Sequence, residues 1–213
     1  MHNSPTESTA ASAHLLASLR RALGHAPHDV GGGAERAHPR AAVALVLRAA
    51  GDDLEVLLIR RAEREGDPWS GHMAFPGGRA DPRDADTIAT AARETMEEVG
   101  IDVVGGGEWL GALEALHPRS GAPAISVFPH VFAVTGKQPV RPNHEVGQAY
   151  WVPLAEIARP QSAAEHEHVA PNGSRMRFPA YDVRGNVVWG LTYRMLSGFL
   201  ALCAELRAQG DDR

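Results

Sequence analysis

Cysteine is nearly missing from this chain: Cys203 is the single one in 213 residues. That excludes a disulfide framework and a cysteine-built zinc site. Cys203 itself lies on an apolar helical stretch, where a small buried hydrophobe is expected rather than a nucleophile. No apolar run approaches the ~18 residues that a membrane-spanning helix needs. No signal-peptide core stands at the N-terminus either. A cytoplasmic protein with no membrane partner is therefore expected. Positive charge is not in surplus, since the formal net charge is −5. No broad face is expected to hold a nucleic-acid backbone, although a few local arginines can still grip a small anionic substrate. Internal repeats and low-complexity tracts are absent beyond a general richness in alanine.

What is present is ordinary globular composition, 44% hydrophobic and 22% charged. The length suits one domain with a real core and some embellishment. Residues 1–40 read as a polar start, a helix with Leu15, Leu16, Leu19 and Leu23 at helical spacing, and a glycine-rich connector. Residues 41–210 read as the main domain. "AAVALVLRA" and "LEVLLIRR" are strand-like runs joined by a turn at Ala50-Gly51-Asp52-Asp53. Both are apolar nearly throughout, which places them in a sheet covered on both faces. "EWLGALEALH" and "AISVFPHVFAV" read as strands joined by the turn-rich "PRSGAP". "EVGQAYWVPLAEI" reads as a strand running into a helical turn at Pro153, and "MRFPAYDVRGNVVWG" as a hairpin turning at Arg184-Gly185-Asn186. An amphipathic helix, "LTYRMLSGFLALCAELRAQ", closes the chain. Strands flanked by helices predict an α/β domain with a mixed sheet.

The most informative stretch is "AFPGGRADPRDADTIATAARETMEEVG", Ala74 to Gly100. A helix is expected from about Asp84 to Val99, with Asp84 or Asp86 as its cap and Gly100 as its stop. Ile88, Ala91, Ala92, Thr95 and Val99 form its inward face. Glu94, Glu97 and Glu98 fall at i, i+3 and i+4, on one patch. Such clusters are commonly solvated faces. Here they sit in the C-terminal half of the helix, where the macrodipole disfavours negative charge. They also follow Phe75-Pro76-Gly77-Gly78, whose glycines let backbone approach a ligand. Three carboxylates and a carbonyl oxygen suit Mg²⁺ or Mn²⁺, ions that bridge to substrate phosphates.

The stretch resembles the Nudix box, the signature of hydrolases that cleave a nucleoside diphosphate linked to another group. The core of the box is matched by Arg93, Glu94, Met96, Glu97, Glu98, Val99, Gly100 and Ile101, with Thr95 off pattern and Gly78 as the opening glycine. The resemblance implies a mixed sheet between helices, an α/β/α sandwich. It also implies that Glu94, Glu97 and Glu98 hold the metals, that Gly78 offers its carbonyl, and that Arg93 orients the glutamates. Two departures stand out: the glutamate usual midway through the box is replaced by the neighbourhood of Asp84 and Asp86, and the Gly78–Arg93 interval is one residue longer than the common form.

That longer interval resembles the subgroup acting on coenzyme A and its thioesters. Leu57, Leu58, Arg61, Ala62, Gly71, Phe75, Pro76, Gly77 and Gly78 match its upstream signature, while Ile59 replaces a usual threonine. "VVWGLTYRMLSGFL" is similar to its closing helix. The substrate implied is coenzyme A or an acyl-coenzyme A, with ADP-ribose or a nucleotide sugar as the rival and a non-catalytic nucleotide sensor as the rival of another class. Of the nearby cations, Arg60 and Arg61 point to opposite faces of a strand, so at most one faces the site. Arg61 and Arg79 are candidate phosphate ligands, with solvated surface roles as the alternative. Trp69 and His72 are candidates to stack on a base, and Trp69 equally to pack its loop. Glu145 is a candidate general base or further ligand, the alternative being a surface acid. The alternating "EHEH" at residues 165–168 is read as part of a solvated linker across 158–174. A homodimer is compatible with the sequence.

Overall fold

The computed structural model describes residues 9–24, 39–65, 69–117, 125–136, 138–169 and 173–211. Most of the glycine-rich connector and the "PRSGAP" turn lie outside the described residues. Two apolar runs set the layout. β1 (Arg40–Ala50) and β2 (Asp53–Arg61) form an antiparallel hairpin with Leu47 opposite Val56. Side chains alternate across a strand, and here both sets are buried. Leu45 and Leu47 join Leu54, Val56 and Leu58 in one core, while Ala42, Ala44 and Val46 join Leu57 and Ile59 in another. Strands apolar at almost every position therefore occupy the sheet centre.

Five further strands complete the sheet: β3 (Met73–Ala74), β4 (Gly77–Arg79), β5 (Gly107–Ala112), β6 (Ser126–Val134) and β7 (Val146–Pro153). β3 and β7 pair with β2, β4 pairs with β1, and β5 with β6, all antiparallel. β6 runs parallel to β1, with Val46 opposite Phe132. The sheet is thus mixed, as expected.

Four α-helices occur among the described residues: α1 (Ala10–Leu23), α2 (Thr87–Val99), α3 (Leu154–Ile157) and α4 (Gly190–Asp211). Leu15, Leu19 and Leu23 of α1 pack into the first core with Met195, Leu196, Phe199 and Cys203 of α4. Burial pushes the Cys203 thiol up to about 12, so it behaves as an inert apolar group. Ala91 and Val99 of α2 close the second core, with Ile88 and Ala92 packed at its margin. The result is an α/β/α sandwich. No helix among the described residues is long and apolar enough to cross a membrane.

A second, three-stranded sheet follows: β8 (Ala163–Val169), β9 (Arg175–Val183) and β10 (Asn186–Val188). It corrects the linker expected across 158–174. β8 pairs with β9 in continuous register from Ala163 opposite Tyr181 to Val169 opposite Arg175. The alternation of Glu and His has the period of a strand, two residues, and divides the two residue types between faces. Glu165 and Glu167 pair with Arg177 and Arg175 at 3.6 and 2.7 Å. His166 and His168 take the other side. The turn between β9 and β10 falls at Arg184 and Gly185, both at positive φ, where the sequence places it.

α2 begins later than the sequence suggests, at Thr87. Asp86 is its cap, accepting a hydrogen bond from the Ala89 N–H at 2.7 Å, and Gly100 ends it at φ 69°. We expect Asp86→Ala to cost about 1 kcal/mol and to lower the melting temperature by roughly 2–4 °C. Thermal unfolding checks this, and an unchanged melting temperature would show that the cap contributes nothing.

Candidate active site

β4 brings backbone against the acidic turn of α2. At Gly77, φ 155°, a Cβ would stand 2.3 Å from the Ala42 carbonyl oxygen and 2.6 Å from the Val43 Cα. At Gly78 a Cβ would stand 2.5 Å from the Glu94 carboxylate. At Gly77 the clash is with the backbone of β1, so this glycine is what allows β4 to lie there, whereas at Gly78 a side chain would have to displace the Glu94 carboxylate. The Gly77 N–H donates to Glu98 Oε2 at 2.9 Å.

Arg93 organises the acids around this strand. Its Nε and Nη2 donate to the two oxygens of Asp84, each at 3.0 Å. Nη1 donates to Glu94 at 2.9 Å and to Glu97 at 3.2 Å, and Nη2 also reaches the Arg79 carbonyl at 3.1 Å. Asp84 thus supports the arginine where the common form of the box has a glutamate, while Asp86 only caps the helix. The hydrogen bonds from Arg93, joined by its charge, hold the Asp84 carboxyl down at about 2 against a burial effect of opposite sign. Thr95, the off-pattern residue, is buried and donates its hydroxyl to the Ala91 carbonyl at 2.7 Å, so its polar atom costs little.

Glu98 is the most deeply buried of the three carboxylates. It is 3% exposed, part of the packed face rather than of a solvated patch. Burial pushes its carboxyl up to about 7, opposed by the Gly77 hydrogen bond and by Arg61, and reinforced by Glu94 and Glu145. Burial likewise raises Glu94, with Arg93 opposing and Glu97 and Glu145 adding to the rise. Arg61 is therefore the member of the Arg60–Arg61 pair that faces the site. It shares the side of β2 on which Leu57 and Ile59 meet the α2 core, whereas Arg60 pairs with Glu63 at 2.6 Å. Glu145 acts through its charge on both Glu94 and Glu98. Its carbonyl accepts the Ala62 N–H at 2.8 Å, and its carboxylate is 3.5 Å from Arg64.

The remaining candidates stand farther out. Arg79 gives its carbonyl to Arg93 and leaves its side chain exposed. Trp69 is 53% exposed, and its carbonyl caps a turn by accepting the His72 N–H at 3.1 Å. His72 meets the Trp189 ring edge-on, with centroids 5.3 Å apart. The ring cluster about Trp189 was missed by sequence reasoning. Its signal was the two-residue period of the histidines, which composition alone makes look like a solvated linker.

The NUDIX domain profile matches residues 37–173, a span holding every one of the carboxylates above. The chain belongs to the Nudix family. Among its relatives, the mitochondrial coenzyme A diphosphatase NUDT8 of Mus musculus is 33% identical over 160 residues, covering 74% of this chain and 75% of that protein. The uncharacterized protein C14C4.10c of Schizosaccharomyces pombe is 35% identical over 131 residues, 59% of this chain; the chain spans only 40% of that protein's length. In fold, a MutT/nudix family protein from Enterococcus faecalis superposes with a TM-score of 0.50 at 18% identity, over 76% of this chain and 60% of that one.

Nudix chemistry calls for a divalent ion, and the donor set here fits one. Among the described residues no three acids form a ready-made cage. Instead each carboxylate has its own partner, Arg93 or the Gly77 N–H. Yet Glu94 and Glu98 are carboxylates whose ionised forms are opposed by burial and by neighbouring acids, a cost that a hard cation offsets. Glu94, Glu97 and Glu98, with the Gly78 carbonyl, are the groups that would hold it.

The raised Glu98 carboxyl sets a pH dependence. Well below 4.5 it is protonated in both folded and unfolded chains and has no effect. Between 4.5 and about 7 the unfolded chain loses the proton and the folded chain keeps it, so stability falls as pH rises. Above 7 the fold carries a buried charge costing up to about 3 kcal/mol. In chelator, Glu98→Gln should melt higher than the parent protein at pH 8, by a margin that narrows at pH 5. A margin equal at both pH values would refute this assignment of the buried charge.

Proposed function

We propose that the protein hydrolyses the pyrophosphate bond of a nucleoside diphosphate derivative, and that the substrate is coenzyme A or an acyl-coenzyme A. The products are 3′,5′-ADP and 4′-phosphopantetheine or its acyl form. The observation that carries hydrolysis is the pair of carboxylates, half-buried Glu94 and buried Glu98, held against Gly77 and Gly78 beside the Arg93 clamp. A bound Mg²⁺ or Mn²⁺ supplies Lewis acidity and neutralises phosphate charge there.

The chain's own groups then have separable tasks. Arg93 touches no substrate; it fixes the orientation of Glu94 and Glu97 through its planar fork. Glu145, whose charge acts on Glu94 and Glu98, accepts the proton of the attacking water. Water adds to one phosphorus, the bridging P–O bond breaks, and the bridging oxygen leaves with the second phosphate. Arg61, beside Glu98, and Arg79, exposed at the end of β4, are cations within the site's surroundings for the substrate's phosphates.

The coenzyme A reading is supported by the Leu57–Gly78 signature, by the long Gly78–Arg93 interval and by the likeness to a relative named as a coenzyme A diphosphatase. Its physical discriminator is the 3′-phosphate. A charge-assisted contact to it is worth about 1.5–3 kcal/mol, roughly ten- to a hundred-fold in kcat/KM. We expect coenzyme A to be cleaved faster than dephospho-coenzyme A by that margin, with Mg²⁺ or Mn²⁺ present, and faster than ADP-ribose or a nucleotide sugar. If ADP-ribose is the better substrate, or the 3′-phosphate makes no difference, the coenzyme A assignment falls and diphosphate hydrolysis stands. Tight nucleotide binding with no turnover of any diphosphate would favour a sensor instead.

A further inference from the structure

Five ring side chains from four segments gather around Trp189. Trp189, the residue before α4, stacks on His166 of β8 with centroids 4.0 Å apart and planes at 26°. His168 lies 5.4 Å from the indole, Phe178 of β9 lies 5.8 Å from it, and His72, just ahead of β3, meets it at 5.3 Å. None of these rings belongs to either buried core; all five are half-buried. A cluster built only for packing would bury its largest ring, whereas this one keeps ring surface at the solvent.

Its place in the fold ties it to the chemistry. The His72 carbonyl accepts the Arg61 N–H at 3.0 Å. The cluster therefore begins one strand spacing, about 4.8 Å, from the backbone of the arginine whose charge acts on Glu98. In a nucleoside diphosphate the base is separated from the phosphates by one ribose. A ligand that places a phosphate at Arg61 carries its heterocycle one ribose beyond it.

We propose that the rings of Trp189, His166 and His72 form the platform on which the nucleobase of the substrate stacks. Resting as it does on the nucleotide-hydrolase reading above, the assignment adds the residues that recognise the base. Stacking on aromatic faces accepts any planar heterocycle, and the imidazole nitrogens offer polar partners to its edge. Burial, with His168 nearby, lowers the His166 pKa, so that its ring is neutral at pH 7 and stacks as an aromatic. β8 divides its chemistry accordingly, with Glu165 and Glu167 paired to arginines on the outer face and imidazoles turned to the indole.

Proton NMR of the full chain tests this, with imidazole resonances assigned by single His→Gln variants. AMP should shift the resonances of His72, His166 and His168, and ribose 5-phosphate, which lacks the base, should not. In steady-state assays with the diphosphate substrate, His166→Ala and Trp189→Leu should raise KM about five- to a hundred-fold with kcat within about twofold, and Trp189→Phe should recover most of the loss. If AMP leaves the three resonances in place, the platform assignment is overturned. It is equally overturned if His166→Ala lowers the melting temperature and leaves KM unchanged, which marks a packing cluster only. Base-dependent shifts without cleavage of any diphosphate would keep the platform and remove the hydrolase reading. Cleavage without such shifts would do the reverse.

Discussion

Arg93 is where the candidate site is held together. Its guanidinium donates at once to Asp84 from the loop before α2, to Glu94 and Glu97 from α2 itself, and to the Arg79 carbonyl at the end of β4. A guanidinium presents five donors in a rigid plane, so these acceptors are fixed relative to one another. Without it, the C-terminal half of α2 would carry a turn of carboxylates that repel one another and that the helix macrodipole disfavours. Glu98 lies outside this clamp and depends on a different group, the Gly77 N–H.

The rest of the fold makes that arrangement geometrically possible. β1 is buried on both faces, which fixes its position against α1 and α4 on one side and α2 on the other. β4 then has only the width of a glycine backbone between β1 and the Glu94 carboxylate. Closeness of backbone to carboxylate comes with burial, and burial is the leading cause of the raised Glu94 and Glu98 carboxyls. The same packing that orders the site thus leaves it electrostatically unsatisfied, in the sense that a cation corrects.

The sheet and the helices were legible because their signals are dense: two-sided apolar strands, a 3.6-residue period and clear caps. The candidate metal ligands stood out in the sequence because Arg93 to Ile101 follows a specific pattern, and Thr95 departs from it with its hydroxyl bonded back to Ala91. The choice of Asp84 over Asp86 as the partner of Arg93 was not legible, since both are near enough in sequence and only the start of α2 at Thr87 separates their roles. The burial of Glu98 was not legible, because position on a helix gives a residue's face but not what β4 lays over it. His166 and His168 looked like linker residues, because their partner, Trp189, lies across a strand pairing and a turn.

Burial disfavours the ionised Glu98 carboxylate, and a bound cation offsets that cost. Calorimetric titration of Mn²⁺ into chelator-stripped protein tests it most directly, at pH 7 in buffers of different ionisation enthalpy. Saturable binding should release protons, because a carboxyl pushed up to about 7 must ionise to act as a ligand. The release should shrink at pH 8.5 and vanish in Glu98→Gln. Absence of saturable binding, or binding by the parent protein at pH 7 with no proton released, would contradict the account.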